Sequence, residues 1–577
     1  MRTVFIHGEV ERFDAVRGEL IERFTRARPG PEYAELLACL LDDKFGRDGL
    51  LAWWSEEELE RFLVEVVPRR LVLPRWSAAR DFLHDWLGFL ADEGLLTSPD
   101  PLARLHDAVE RAVPDFLAAM AEPSAWGLEK FWRTTMCELG VPPGDAPAVT
   151  AFFTSVDAGE VEVDGELLEE IEAREANGLD QPALWLPPVE LAEEEPHRTV
   201  AARAPIVERM RTVLAWVGTG RDPSDVDELA AALGLGADEA DLLLEWAERA
   251  GLVRSAGDLL VPTLVAEPLL AEPEVLWMRL WQRFVLVDDV FREQLAELGD
   301  EEDALPEIVQ AALSVLYGRT DAVPVDLVVS VACDLLGGDV DREVVAGVLR
   351  RVLAQWEAML AVRGFESPEH GRVVELLPAG VWAARESLRA FGFRVPAVDD
   401  LVPCPAELLA VVLLDTPPDV QKIMVPLWID HRGTAQAAAE LTALLRRVDD
   451  PSIRLAALAL LEHTGPDGEA AVRDLAEHPV AGPAARVWLQ SRPGNAETLV
   501  RPGDELRFAL DGMAAAIEED TTAFVAEFAQ RPDAEQLELI SDIAGTEHSS
   551  AAAVLATLAD GHPDERMATA AESAISP

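Results

Sequence analysis

Residues 225–263 read DVDELAAALGLGADEADLLLEWAERAGLVRSAGDLLVPT, and the punctuation of this stretch decides the fold. Ser224 or Asp225 can cap a first helix, and Gly234 to Gly236 make a tight turn into a second. A short hairpin follows around Ser255-Ala256-Gly257-Asp258. Helix, turn, helix, hairpin is the order of a winged helix. A similar order recurs at 323–392. Two helices are predicted there over 323–337 and 341–360, with a wing tip at Pro368-Glu369-His370-Gly371 and a return strand at Val373-Val374-Glu375-Leu376. Further helices are predicted over 206–217, 277–299, 305–317 and 382–391.

A winged helix reads DNA through its second helix. In the first module that helix, 237–250, carries Asp238, Glu239, Asp241, Glu245 and Glu248 against a single Arg249. Five carboxylates facing two phosphate strands oppose binding. Winged helices also dock proteins, and the acidity favours that use. The second module is less acidic. Its helix from Asp341 to Leu360 sets Arg342, Arg350 and Arg351 against Asp341, Glu343 and Glu357. These three arginines are the candidate nucleic-acid contacts of the chain, although arginines at such spacing ordinarily form solvated ion pairs.

Working outward, 577 residues exceed one hydrophobic core, so three or four domains are expected. The formal net charge is −57, and Lys44, Lys130 and Lys422 are the lysines among 49 basic residues. Arginine with abundant alanine, valine and leucine points to a GC-rich genome. Salt adaptation also gives acidic, lysine-poor chains, so composition does not separate the two causes. Such charge promotes solubility and repels polyphosphates, which makes nucleic acid a poor default partner. No apolar run reaches the ~20 residues of a membrane helix. The first residues, MRTVFIHGEVERFDAV, carry charge where a signal peptide needs an apolar stretch. A cytoplasmic protein is the expectation.

Residues 9–153 are helical in pattern, with apolar residues at three- and four-residue steps over 32–41, 55–67, 77–93 and 102–120. Ser55 with Glu58 forms a capping box, and Ser77 is a second cap. Trp53, Trp54, Trp76, Trp86, Trp126 and Trp132 fall here, at spacings that suit a core better than a binding platform. A small hairpin at 154–165 and an acidic helix at 166–177 follow. Prolines and the run Glu193-Glu194-Glu195 mark 181–205 as a linker. Beyond the proline-rich crossing at 395–405, short units begin at Pro451, Pro479, Pro532 and Pro563, each a proline followed by alanine and leucine at helical spacing. Units that cannot bury an apolar face alone must stack, which predicts a HEAT-like solenoid.

The expected fold is therefore mostly α and multi-domain. It comprises a helical N-terminal domain (1–180), the linker, two winged-helix-like modules with small β-hairpins (206–300 and 301–395) and a C-terminal HEAT-like α-solenoid (406–577).

Chemistry is harder to find. The ten histidines form no HExxH, HxxxH or histidine–cysteine pair, and Cys39, Cys137, Cys333 and Cys404 form no CxxC pair. Gly218-Thr219-Gly220-Arg221 lacks the strand and further glycines of a nucleotide loop, and reads as a helix stop. No GxSxG elbow is present. His463 and His478 fall at turns between helices. No catalytic, cofactor-binding or metal-ligating residue is assigned, and no cofactor is expected.

Three stretches carry a resemblance: Pro123-Ser124-Ala125-Trp126-Gly127, Leu214-Ala215-Trp216-Val217-Gly218-Thr219-Gly220-Arg221 and Val374-Glu375-Leu376-Leu377-Pro378-Ala379-Gly380. With the alanine-rich segment 451–489, the chain resembles uncharacterised large acidic helical proteins of high-GC actinobacteria. The resemblance implies no established activity, so no catalytic residue is carried over from it.

The leading functional expectation is a non-enzymatic protein–protein interaction or scaffold protein, with a protein as partner. The alternatives are a winged-helix transcriptional regulator using the Asp341-to-Leu360 helix, an acidic nucleic-acid mimic, and an enzyme of unrecognised type.

Overall fold

The computed structural model describes residues 1–6, 9–142, 144–158, 161, 163–165, 167–168, 171–172, 185–190, 194–287, 289–295, 301–317, 319, 321–337, 340–390, 393–492 and 499–575. Helix accounts for 70% and strand for 6%, which makes the fold mostly α with two small antiparallel sheets. Among the described residues no helix is long and apolar enough to cross a membrane. The chain forms two compact units. One holds 1–184, 401–415 and 424–577, and the other holds 185–400 and 416–423.

The second unit contains one topology twice. In the first copy, helix Pro205–Val217 ends at Gly218, whose positive φ of 58° stops it. Arg221 then pairs with Leu260 in an antiparallel bridge. Helices Val226–Leu233 and Ala237–Arg249 follow, joined through Gly234 in the left-handed conformation. Strands β1 (Val253–Ala256) and β2 (Leu259–Pro262) pair across Gly257 and Asp258. In the second copy, helix Glu301–Leu316 leads into β3 (Val323–Pro324), then helices Val325–Leu335 and Arg342–Ala358, then β4 (Val362–Ser367) and β5 (Gly371–Leu376). The sheet order is β3-β5-β4, so in both copies the segment before the helix pair joins the last strand.

The end of the second helix shows how closely the copies agree. Gly251 N–H bonds to Glu248 O at 2.8 Å, and Leu252 N–H to Ala247 O at 2.8 Å. This double bond pattern closes a helix through one left-handed residue. In the second copy Leu360 takes that place at φ 57°, with Leu360 N–H on Glu357 O and Ala361 N–H on Trp356 O. A Cβ on Gly251 would lie 3.0 Å from Arg279 Nη2 and enter a conformation that L residues avoid. Gly251→Ala is therefore expected to destabilise the unit by about 1–2 kcal/mol. A lowered urea midpoint at unchanged slope checks this, and an unmoved midpoint would contradict it.

Both copies share one apolar core, in which Met210, Leu243, Trp246, Ile308, Val348 and Leu349 are fully buried. Trp246 Nε1–H donates to Leu280 O and Trp277 Nε1–H to Met359 O, each at 2.8 Å. The two indoles thus fasten helix Pro273–Arg283 to both copies. The described part of the 181–205 stretch is structured: Trp185 bridges Arg394, Val189 bridges Ala397, and Glu194–Arg203 is helical.

The first unit has an aromatic core between helices Val10–Ala27, Tyr33–Arg47, Ser77–Asp92 and Leu102–Ala121, where Phe24 meets Phe82, Trp86 and Phe89 edge-on. Ser55 caps helix Glu56–Arg61 by accepting from Glu58 N–H at 3.3 Å. Ser77 does not act as a cap: helix Ser77–Asp92 already includes it, because Ala78 N–H and Ala79 N–H bond back to Arg75 O and Trp76 O. Of the six tryptophans, Trp54 and Trp86 are core, whereas Trp76 is exposed. Helix Ala146–Asp157 reaches into the expected 154–165 hairpin, of which 159–160 and 162 lie outside the described residues, as does most of the 166–177 helix.

Residues 1–180 and most of 406–577, separate in the sequence division, fall in the same compact unit, while 416–423 belong to the other. Thr3 N–H and Oγ1–H donate to Glu407 at 2.6 and 2.9 Å, and Glu407 also faces Arg447 at 2.6 Å. Arg2 and Arg12 reach Asp450 at 3.0 and 3.3 Å, and Arg12 reaches Glu518 at 2.7 Å. Glu407 is 1% exposed, so its charge requires partners inside the protein, and some of them come from the other end of the sequence. Residues 1–6 are held in turn by Gly49, whose φ is 69°. A Cβ there would overlap Phe5 O, which accepts no substitute for glycine at that approach.

Candidate functional site

The three arginines expected as nucleic-acid contacts are not presented as a set. Arg342, exposed, donates to Ser330 Oγ at 2.8 Å and Asp326 O at 2.9 Å. Arg350 is exposed and has no partner among the described residues. Arg351 turns inward. Its guanidinium lies over the Phe291 ring at 4.6 Å and donates to Val290 O at 3.3 Å. Burial lowers its pKa, while Asp238 and Glu239 of helix Ala237–Arg249 oppose that shift. The start of one reader-position helix therefore lies close to a cation of the other.

The five carboxylates of helix Ala237–Arg249 also divide. Glu245 accepts from Val290 N–H at 3.0 Å, Glu248 accepts from Ser255 N–H and Oγ–H at 3.2 and 3.0 Å, and Glu239 lies 4.0 Å from Arg209. Asp238 and Asp241 remain, both exposed in the first turns, where the helix dipole favours negative charge.

No catalytic constellation emerges from the histidines. His84 and His106, on neighbouring helices, place their Nδ1 atoms 2.6 Å apart, and His84 Nε2 meets Glu110 Oε1 at 2.8 Å. These contacts use opposite nitrogens of His84, so the three groups do not converge on one point. His548 faces Asp511 at 3.2 Å through Nε2, but its Nδ1 already accepts from Ser550 N–H at 3.2 Å. His463 ends helix Pro451–Glu462, and His478 Nδ1 accepts from Ala481 N–H. Among the described residues no group of three or more His, Cys, Asp or Glu is arranged to hold a metal ion.

Two of the three lysines are buried. Lys44 is 1% exposed between Asp48 and Glu58. Lys130 is 3% exposed; its ammonium donates to Pro68 O at 2.6 Å and lies 5.4 Å from the Trp126 ring centre, and burial pushes its pKa down to about 8. Burial likewise pushes the Cys39 and Cys404 thiols up to about 12, which makes them poor nucleophiles.

The second unit contains a cavity of about 290 Å³. Its walls are Trp281, Phe284, Val309, Leu313 and Trp356, all buried. Trp281 and Trp356 stack with ring centres 5.0 Å apart. Gln282, Arg283, Glu386 and Ser387 add polar groups. Trp281 Nε1–H donates to Ser387 Oγ at 2.8 Å, and Glu386 is held by Arg389 at 3.4 Å and Arg385 at 3.8 Å. Sequence reading missed this site. The available signal was Trp277 and Trp281 on one helical face, but Trp356 and Ser387 join them through the tertiary fold.

Comparison of the chain with protein-family models, with curated proteins and with solved structures finds no match.

Proposed function

We propose that this chain is a cytoplasmic, non-enzymatic interaction or scaffold protein. In this reading the two helix–helix–hairpin copies at 206–300 and 301–395 are winged helices used for docking, and the helices of 406–577 stack in HEAT-like fashion. One observation carries the proposal: the helices in reader position are engaged inside their own unit. Arg351 is taken up by Phe291 and Val290, and the exposed carboxylates in the first turns of helix Ala237–Arg249 are Asp238 and Asp241. The repeated topology, in which the segment before the helix pair joins the last strand, supports the winged-helix reading. Successive contacts among helices Thr434–Arg447, Pro451–Glu462, Pro466–Arg473 and Gly482–Gln490 support stacking. Acidic docking surfaces suit a partner with a basic patch.

The expected result is capture of a discrete protein partner at physiological salt, weakened at least tenfold when Asp238→Lys and Asp241→Lys are combined. Capture of no protein partner would sink the scaffold reading. DNA binding that falls steeply with salt and is lost in Arg350→Ala would replace it with the regulator.

A further inference from the structure

We infer that the cavity bounded by Trp281 and Trp356 is a binding site for a small bicyclic aromatic carboxylate. Size narrows the ligand first. An apolar cavity of about 150 Å³ accommodates benzene, and drug-sized ligands occupy about 300 Å³ or more. At about 290 Å³ the space suits a fused pair of rings with one polar substituent, and is too small for a peptide or nucleotide. The walls set the shape. Trp281 and Trp356 lie within 26° of parallel, and Phe284, Val309 and Leu313 complete an apolar lining that a planar ring can contact without losing hydrogen bonds to water.

The polar groups select the substituent. Three donors lack a full complement of acceptors. Arg283 has no ion pair among the described residues. Trp356 is 2% exposed, and its indole N–H has no acceptor among them. Ser387 Oγ accepts from Trp281 and keeps its own proton to donate. The lining carboxylate, Glu386, is committed to Arg389 and Arg385. Donors left without partners in the protein favour a ligand rich in acceptors, which replaces the water they would otherwise bond. A carboxylate satisfies the guanidinium in a bidentate contact and accepts from a hydroxyl or indole as well. Charge makes the requirement sharper. In a chain of net charge −57 a local cation without an ion pair is what favours an anion at this site over the rest of the surface. Arg283 is that cation.

Calorimetric titration of the full chain with 1-naphthoate and indole-3-carboxylate tests the inference, with 1-naphthalenemethanol as the neutral comparison. Saturable one-to-one binding of an acid is expected, with the alcohol at least tenfold weaker. Arg283→Gln lies at an exposed position and should retain the fold; it is expected to remove the preference for acid over alcohol. Val309→Trp fills the cavity and is expected to abolish binding of both, with unchanged circular dichroism as the control. If Val309→Trp misfolds, Arg283→Gln alone decides. Absence of saturable binding by either acid, or an acid affinity unchanged in Arg283→Gln, would overturn the inference. Equal affinity for acid and alcohol would overturn the carboxylate assignment.

Discussion

Asp511→Ala is expected to destabilise the first unit by about 3–5 kcal/mol, because it strips a buried cation of its counter-charge. Asp511 is 4% exposed and Arg454 is 2% exposed. Arg454 donates to Asp511 through Nε at 3.2 Å and Nη2 at 2.5 Å, and His548 adds a contact at 3.2 Å. The alanine variant leaves the guanidinium in the core with Val448 O, 3.3 Å away, as its remaining partner among these contacts. Urea unfolding followed by circular dichroism measures the loss, and a change below about 1 kcal/mol would show that water reaches the arginine. The pH dependence has a definite sign. Burial alone would raise the Asp511 pKa, but hydrogen bonds from His548 and Arg454 outweigh it and hold the carboxyl below its ordinary value. A lowered folded pKa gives stability that is fully present above the unfolded value of about 4 and is lost as pH falls through the folded value. The difference between wild type and Asp511→Ala is therefore expected to shrink on acidification below pH ~4.

Lys44→Met is expected to have a comparable effect, about 3–5 kcal/mol, through the opposite charge. The Lys44 ammonium donates to Asp48 Oδ2, Glu58 Oε2 and Trp53 O, each at 3.0 Å, and lies 4.9 Å from the Trp54 ring centre. Methionine fills the same space but leaves two carboxylates with Arg47. In the native protein burial pushes the Glu58 pKa up. Burial would also raise Asp48, but Lys44 and Arg47 bring it below its ordinary value. Without the ammonium, the folded state favours a protonated Glu58 still more strongly. The variant therefore loses further stability as pH rises above the unfolded glutamate value of about 4.3, so its penalty is expected to be larger near pH ~8 than near pH ~5. Adding Glu58→Gln should recover part of the loss. Thermal unfolding across that pH range checks both points, and a pH-independent penalty would assign the effect to packing alone.

These two clusters also mark how far sequence reading extends. Ser55 as a helix cap, Gly234 to Gly236 as a turn and Gly257-Asp258 as a hairpin tip were legible, because each rests on backbone geometry within a few residues. The same reasoning failed at Ser77, where backbone carbonyls of Arg75 and Trp76 provide acceptors ahead of the hydroxyl. The acidity of helix Ala237–Arg249 was legible as a count. Its distribution was not: Glu245 and Glu248 turn to Val290 and Ser255, and Asp238 and Asp241 keep the outward charge. Arg342, Arg350 and Arg351 look alike in sequence, yet one bonds to a neighbouring helix, one is free, and one packs on Phe291.

By itself, the sequence around residues 225–263 determined a helix pair closed by a hairpin, and the same order again at 323–376, because glycine, capping residues and apolar periodicity act locally. It also determined an acidic, helix-rich chain. Only the tertiary structure decided which charges are buried together, that Thr3 meets Glu407, and that Trp281, Trp356 and Ser387 enclose one cavity. The physical reason is that burial creates the need for a partner, whereas the spacing of residues along the chain does not say which distant segment will meet that need.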